Sequence, residues 1–148
     1  MRRIVRTDRA PKPVAAYEQA IVSGGLIFVS GQVATNPSTG NIDAISIEDQ
    51  VTQVLRNIEA IVKQAGGKRQ NIVRCGVFLA DLKDFAGMNQ AYGEFFSGSL
   101  PARTTVQAGL GNLRVEIDAI AVLDSAKGNP RLGRNKKVVR RGPKRSRK

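Results

Sequence analysis

The stretch SIEDQVTQVLRNIEAIVKQAGG, residues 46–67, decides the arrangement of the chain, because it predicts a long helix with one apolar side. Ser46 stands three residues before Asp49, as in a helix N-cap, and Gly66-Gly67 can end the helix. The apolar residues recur at the spacing of one helix face: Ile47, Val51, Val54, Leu55, Ile58, Ile61, Val62 and Ala65. We therefore predict an amphipathic α-helix over residues 47–65, packed against a sheet.

Runs of β-forming residues on both sides of this helix predict that sheet. The predicted strands cover residues 2–6, 17–22, 26–30, 72–80, 104–108 and 113–123. Ser23-Gly24-Gly25 predicts a hairpin turn between the second and third strands. A second helix follows residues 81–84, with an apolar stripe of Phe85, Met88, Tyr92, Phe95 and Phe96. This order predicts an α+β fold with a mixed β-sheet and both helices on one face.

The last predicted strand, residues 113–123, differs between its two faces. One face carries Val115, Ile117, Ala119 and Ala121, and the other carries Glu116, Asp118, Ile120 and Val122. Because two helices cover only one side of the sheet, we expect a closed homo-oligomer to bury the other side. We also expect strands 104–108 and 113–123 to form a hairpin, which would bring Glu116 towards Arg103.

The composition excludes several kinds of catalytic site. The chain has no histidine and a single cysteine, Cys75, so one chain cannot form a zinc site of His and Cys ligands or a Ser-His-Asp or Cys-His nucleophile system. We expect Cys75 to be a buried core thiol in a reducing compartment. No apolar run approaches the ~20 residues that span a bilayer, and no signal sequence is evident, so we expect a cytoplasmic protein.

The positive charge is concentrated at one end of the chain. Residues 127–148 hold 11 of the 24 Lys and Arg residues and no acidic residue, so residues 1–126 are expected to form one domain with a basic, disordered tail. Such a tail can bind RNA or another polyanion through its positive charges. The candidate polyanion-binding residues are Lys136, Lys137, Arg140, Arg141, Lys144 and Arg145. A solubilising extension is an equally acceptable alternative.

The stretch Leu100-Pro101-Ala102-Arg103-Thr104-Thr105-Val106 carries an isolated arginine at the start of a predicted strand. Arg103 is the only basic residue between Lys83 and Arg114. A guanidinium can make two parallel hydrogen bonds to one carboxylate, so Arg103 is a candidate anchor for a carboxylate ligand. The alternative is a surface arginine at a strand end.

The order of several short motifs resembles the RidA/YjgF family of enamine/imine deaminases, over roughly residues 4–123. The first matching motifs are Ala10-Pro11, Tyr17 with Gln19-Ala20-Ile21, Phe28-Val29-Ser30-Gly31-Gln32, and Asn57-Ile58 with Ala65-Gly66. The later ones are Val77-Phe78-Leu79-Ala80-Asp81 with Asp84-Phe85, then Asn89, Tyr92, Phe95 and Phe96, Pro101-Ala102-Arg103, and residues 115–121.

The resemblance implies a chorismate-mutase-like fold, a homotrimer with sites between subunits, and cofactor-free, metal-free hydrolysis of 2-imino acids to 2-keto acids and ammonia. It implies that Arg103 binds the substrate carboxylate, with help from Ser30 and Gly31. It further implies that Glu116 positions water. The resemblance also places three further residues in the pocket: Tyr17, Asn89 and Thr105.

Two departures from the family pattern bear on the site. The usual Gly-Pro-Tyr-Ser-Gln is replaced by Ala15-Ala16-Tyr17-Glu18-Gln19, which adds a charge beside Tyr17, and the connection at residues 109–112 is shortened. Each site residue also has a structural alternative, such as a solvated Glu116 on a half-exposed strand. The alternative function is a non-catalytic trimer that binds RNA or another polyanion, and a chaperone or metabolite-sensing trimer is a third.

Overall fold

The computed structural model of the protein describes residues 1–124, which form six β-strands and two α-helices. The strands are β1 (Arg3–Val5), β2 (Ala20–Ser23), β3 (Leu26–Gln32), β4 (Ile72–Leu79), β5 (Ala102–Gln107) and β6 (Val115–Val122). The helices are α1 (Ile47–Ala65) and α2 (Phe85–Phe95), and short 3-10 turns lie at Arg69–Asn71 and Leu82–Asp84. The basic tail and its candidate polyanion-binding residues lie outside the described residues. Neither helix is long and apolar enough to cross a bilayer.

Helix α1 forms as its sequence predicts and supplies most of the helical side of the core. The Ser46 hydroxyl accepts a hydrogen bond from the Asp49 backbone N–H at 3.1 Å, which satisfies one of the free donors of the first turn. Gly66 ends the helix in the left-handed conformation, with φ of 101°. The apolar side of α1 packs on β3 and β6, and α2 packs beside it on the same side of the sheet. The predicted α+β fold with two helices on one face is thereby confirmed.

The strand order of the sheet is β1-β2-β3-β6-β4-β5. All neighbouring strands are antiparallel except β4 and β5, which are parallel. The predicted hairpin of the last two strands is therefore wrong, because β4 lies between β5 and β6. The connection from β5 to β6 passes the end of β4 instead. There the Ala108 N–H donates to the Leu79 carbonyl, and the Ala80 N–H donates to the Arg114 carbonyl, each at 2.9 Å. The alternation of a strand specifies the face of each residue and carries no information on which strand lies beside it.

Strand β2 begins at Ala20, although the sequence predicted a strand from Tyr17. Its outer neighbour β1 has only three residues, and the pairing ends where Val5 meets Ala20. Residues 17–19 therefore have no partner strand on that side, and Tyr17 lies in the preceding loop.

The two faces of the sheet differ in burial. On β6 the four residues of the helix side, from Val115 to Ala121, are fully buried, whereas the opposite residues are half-buried or exposed. We call the opposite side the open face. Its large apolar side chains include Phe28, Phe78, Val106, Ile120 and Val122. Phe28 is 43% exposed, and Val106 and Val122 are exposed to a similar degree. A contiguous apolar surface of this kind on a small protein is typical of an association site.

Candidate functional site

Arg103 lies on β5 at the edge of the sheet, with its side chain under helix α2. Its Cα is paired with that of Cys75, which is itself paired with Ala119, and both of these residues face the helices. One Nη of Arg103 donates to the Asn89 side-chain oxygen at 2.9 Å, and the other lies 3.8 Å from the Met88 sulfur. Since α2 holds the guanidinium from above, its position is fixed before any ligand arrives.

Aromatic rings complete the surroundings of Arg103. The guanidinium carbon lies 4.7 Å from the centroid of the Tyr92 ring and 5.7 Å from that of Phe85. The charge is stabilised by these ring faces and by neutral acceptors. Among residues 1–124, no carboxylate forms an ion pair with Arg103, whereas Arg114 binds Asp84 at 2.7 Å. An arginine that is fixed in place but not neutralised is well suited to bind an anion.

Two buried hydroxyls lie close to this arginine. Those of Tyr92 and Thr105 have no hydrogen-bond partner among the described residues. The Tyr92 hydroxyl lies beside the Cys75 thiol, and burial, together with this neighbour, raises the pKa of Tyr92 well above its usual value. Burial also raises the pKa of Cys75 to about 11, so this thiol remains protonated and is not a nucleophile. The predicted buried core thiol is confirmed. We call Asn89, Arg103 and Thr105 the arginine half-site.

A second group of candidate residues surrounds a bulge in β3. Val29 is paired with Ala119 and Gln32 with Ile117, so Ser30 and Gly31 together lie opposite the single residue Asp118. Such a bulge bends the strand and redirects its side chains.

The Glu116 carboxylate lies directly over Gly31. A Cβ atom on Gly31 would collide with the Glu116 Oε1 atom, so the close approach requires glycine. The close neighbour of Gly31 is therefore the Glu116 side chain.

Tyr17 lies near this bulge because the segment before β2 is tied to β3. The Ser30 hydroxyl donates to the Glu18 carbonyl at 2.6 Å, and the Ser30 N–H donates to the Gln19 carbonyl at 3.0 Å. Tyr17 and Gly31 both line a cavity of about 590 Å³, together with Pro11 and other residues of the neighbouring loops. We call Tyr17, Ser30, Gly31 and Glu116 the glutamate half-site.

The two half-sites do not meet within one chain. Arg103 faces the helices, whereas Glu116 is paired with Phe78 on the open face. With ~3.3 Å per residue and ~4.8 Å between strands, their Cα atoms are about 14 Å apart across the sheet. The predicted approach of Glu116 to Arg103 within the chain is therefore wrong, because it relied on a hairpin that does not form.

Sequence reasoning missed the residues that support the half-sites. Gln19 is only 2% exposed, and its amide accepts from the Thr7 N–H and donates to the carbonyls of Thr7, Ala10 and Pro11. Asn57 on α1 donates to two carbonyls of the loop after β3. Gln19 and Asn57 belong to the quoted motifs, but polar residues in such patterns do not reveal their distant partners.

The charge that the sequence adds at Glu18 is paired within the chain. Its carboxylate forms an ion pair with Arg6 at 2.7 Å. Within residues 1–124, no three His, Cys, Asp or Glu side chains are grouped as metal ligands.

Taken together, the fold and the half-sites define a class of protein. It is a small α+β protein with a mixed sheet, an arginine at one sheet edge that has no ion-pair partner among residues 1–124, and a carboxylate on the open face.

Comparisons with known proteins agree with this class. The profile of the family described as Endoribonuclease L-PSP matches residues 7–123. A RutC family protein of Pyrococcus horikoshii is 42% identical over 123 residues, which cover 82% of this chain and 98% of that protein. The 2-iminobutanoate/2-iminopropanoate deaminase of Rattus norvegicus is 38% identical over 124 residues, which cover 82% of this chain and 90% of that protein. The crystal structure of E. coli TdcF with bound serine superimposes with a TM-score of 0.78 at 38% identity, covering 82% of this chain and 99% of that one. The chain belongs to the RidA/YjgF family.

Proposed function

We propose that this protein hydrolyses 2-imino acids, such as 2-iminobutanoate and 2-iminopropanoate, to 2-keto acids and ammonia. In this reaction water adds to C2 of the protonated imine, and the C2–N bond then breaks as the nitrogen leaves as ammonia. The reaction involves no oxidation or reduction. It needs only groups that bind the substrate, orient water and transfer protons, and the residues of the protein can supply these. The relatives named 2-iminobutanoate/2-iminopropanoate deaminase support this choice of substrate.

The observation that carries the proposal is the state of Arg103. Its guanidinium is held by Asn89, Met88 and Tyr92, and no carboxylate of the described residues neutralises it. A 2-imino acid offers a planar carboxylate next to the reacting carbon. An arginine that binds this carboxylate therefore fixes the reacting carbon as well, and such positioning is a large part of the catalysis of an easy hydrolysis.

The other candidate residues take roles that match their positions. Glu116 is the carboxylate that orients water, accepts its proton as water adds to C2, and gives that proton to the nitrogen before it leaves as ammonia. The backbone of Ser30 and Gly31 contacts the substrate, and the bulge takes that backbone out of the regular pairing with β6. Tyr17 forms a wall of the pocket, Asn89 positions Arg103, and Thr105 contacts the substrate through its backbone.

The two half-sites require a second subunit to form one site. We propose a homotrimer in which the open faces associate and the arginine half-site of one subunit meets the glutamate half-site of the next. The exposed apolar residues of the open face and the separation of Arg103 from Glu116 support this arrangement. We further propose a cytoplasmic location, where PLP-dependent dehydratases release such imines.

The test is ammonia and 2-keto acid release from 2-iminobutanoate generated by a dehydratase in the same solution. We expect the wild type to accelerate release and Arg103→Ala to lower kcat/KM by about 100-fold, because the substrate carboxylate loses its anchor. Arg56→Ala, which removes an exposed arginine on α1, is the matched control and should behave as the wild type. A wild type that releases ammonia no faster than buffer would overturn the proposal.

A further inference from the structure

Arg6 and Glu18 form an ion pair close to the glutamate half-site. The Arg6 Nε donates to Glu18 Oε2 at 2.8 Å, and an Nη donates to Oε1 at 2.7 Å. This is the two-point geometry in which a guanidinium fixes the plane of a carboxylate. The Arg6 guanidinium also lowers the pKa of Glu18 below its usual range, so the pair persists at neutral pH.

Glu18 connects three strands at this point. Its side chain reaches Arg6, which follows the end of β1, while its carbonyl accepts from Ser30 in the bulge of β3. Glu18 itself lies just before β2. The pair therefore ties the end of β1 to the segment that carries Tyr17 and to the bulge.

The loop around Tyr17 has few other attachments. The Tyr17 N–H donates to the Ala15 carbonyl at 2.9 Å, and its hydroxyl accepts from the Val14 N–H at 3.4 Å, so both bonds lie within the loop. Residues 14–17 are all exposed. The position of Tyr17 thus depends on the two residues that follow it, and Gln19 is buried on the other side of the backbone.

We propose that the Arg6–Glu18 pair is a clamp that positions Tyr17 and Ser30 in the glutamate half-site. Its effect on the reaction rests on the proposed function, whereas its effect on Tyr17 does not. An exposed ion pair contributes little to global stability. The clamp therefore affects the geometry of the half-site while the core and the Gln19 bonds hold the fold.

The experiment compares Arg6→Glu, Glu18→Arg and the double variant, in which the charges are exchanged. The first readout is the rate of nitration of Tyr17 by tetranitromethane, measured on its peptide by mass spectrometry. The chain has only two tyrosines, and buried Tyr92 is the internal reference. We expect each single variant to change the nitration rate of Tyr17 at least threefold and the double variant to restore it.

The second readout is the kinetics of imine hydrolysis. We expect each single variant to lower kcat about fivefold, with a small change in KM and in the melting temperature, and the double variant to recover most of the loss. Lys83→Gln, which breaks the exposed pair with Asp81 outside the two half-sites, is the control and should leave both readouts unchanged.

Several results would overturn the clamp. These are an unchanged nitration rate, an unchanged kcat in an active protein, or a double variant no better than the single ones. If the wild type shows no hydrolysis, the proposed function fails, and the nitration rates alone decide whether the pair holds Tyr17.

Discussion

Arg103 illustrates how much the surroundings of one residue decide its role. In the sequence it is an arginine without charged neighbours, which fits a surface position as well as a binding site. In the fold its side chain extends from β5 to α2, where Asn89 and Tyr92 hold the guanidinium without neutralising its charge. The same side chain on an exposed strand would be solvated and free to rotate, so the fixed position is what makes it a candidate binding group.

Cys75 gives a prediction at the scale of the residue. Folding raises its pKa from 9.0 to about 11, so above pH 9 the unfolded chain loses this proton before the folded chain does. Stability is then fully present below pH 9 and falls by about 2–3 kcal/mol as the pH rises to about 11. Tyr92 adds a further loss above its usual pKa of 10.0, because its pKa is also raised.

Urea unfolding at pH 8 to 11 measures this loss. Cys75→Ala should remove the part of the stability loss that begins near pH 9. Tyr92→Phe should remove the part of the stability loss that begins near pH 10. An equal alkaline loss in Cys75→Ala and the wild type would contradict the assigned burial effect.

At the scale of the element, the bulge of β3 and the alternation of β6 build the glutamate half-site together. The sequence predicted both strands. It did not predict the bulge, because the extra residue is defined only against the partner strand, where Ser30 and Gly31 face Asp118.

Gly31→Ala tests this arrangement. The new Cβ would occupy the place of the Glu116 carboxylate, which ends a flexible side chain and can rotate away. We therefore expect a stability loss of about 1 kcal/mol or less but a fall in kcat/KM of at least about tenfold, since the proposed water-orienting group, Glu116, is displaced. Thermal unfolding and imine hydrolysis, measured on the same preparation, separate the two effects.

Gly93→Ala is the matched control for this variant. Gly93 lies within α2, and no atom within 4 Å would contact its added Cβ. Alanine there should stabilise the helix by up to about 1 kcal/mol and leave the kinetics unchanged. Equal kinetics for Gly31→Ala and Gly93→Ala would contradict the role of the Gly31–Glu116 contact.

At the scale of the whole molecule, the separation of the half-sites leads to a prediction on mixed oligomers. In a cyclic trimer each site takes one half from each of two neighbouring subunits. Arg103→Ala and Glu116→Gln should each be nearly inactive alone. Co-expressed in equal amounts they should recover about one quarter of the wild-type activity, because that share of sites joins two intact halves. Activity no greater than that of the separate variants would argue for a site within one chain.

Association can be checked without activity by sedimentation. The wild type should sediment as a trimer, and a monomer at micromolar concentration would contradict the assembly. Phe28→Glu places a charge in the open face and should give folded monomers that show no recovery in the mixing experiment. Ile45→Glu is the control, because Ile45 is exposed before α1, outside the open face, and its change should leave the trimer intact.

The sequence by itself determined the helices, all six strands to within three residues at each end, the face of each residue on β6, the burial of Cys75 and the family. These follow from local periodicity, from capping residues, and from short motifs whose order is written in the chain. Only the tertiary structure decided that β4 separates β5 from β6, that Arg103 turns towards α2, and that Glu116 turns towards the open face. Strand pairing joins residues far apart in the chain, and many pairings satisfy the same alternation, so the distance between the two halves of the site is a property of the folded sheet.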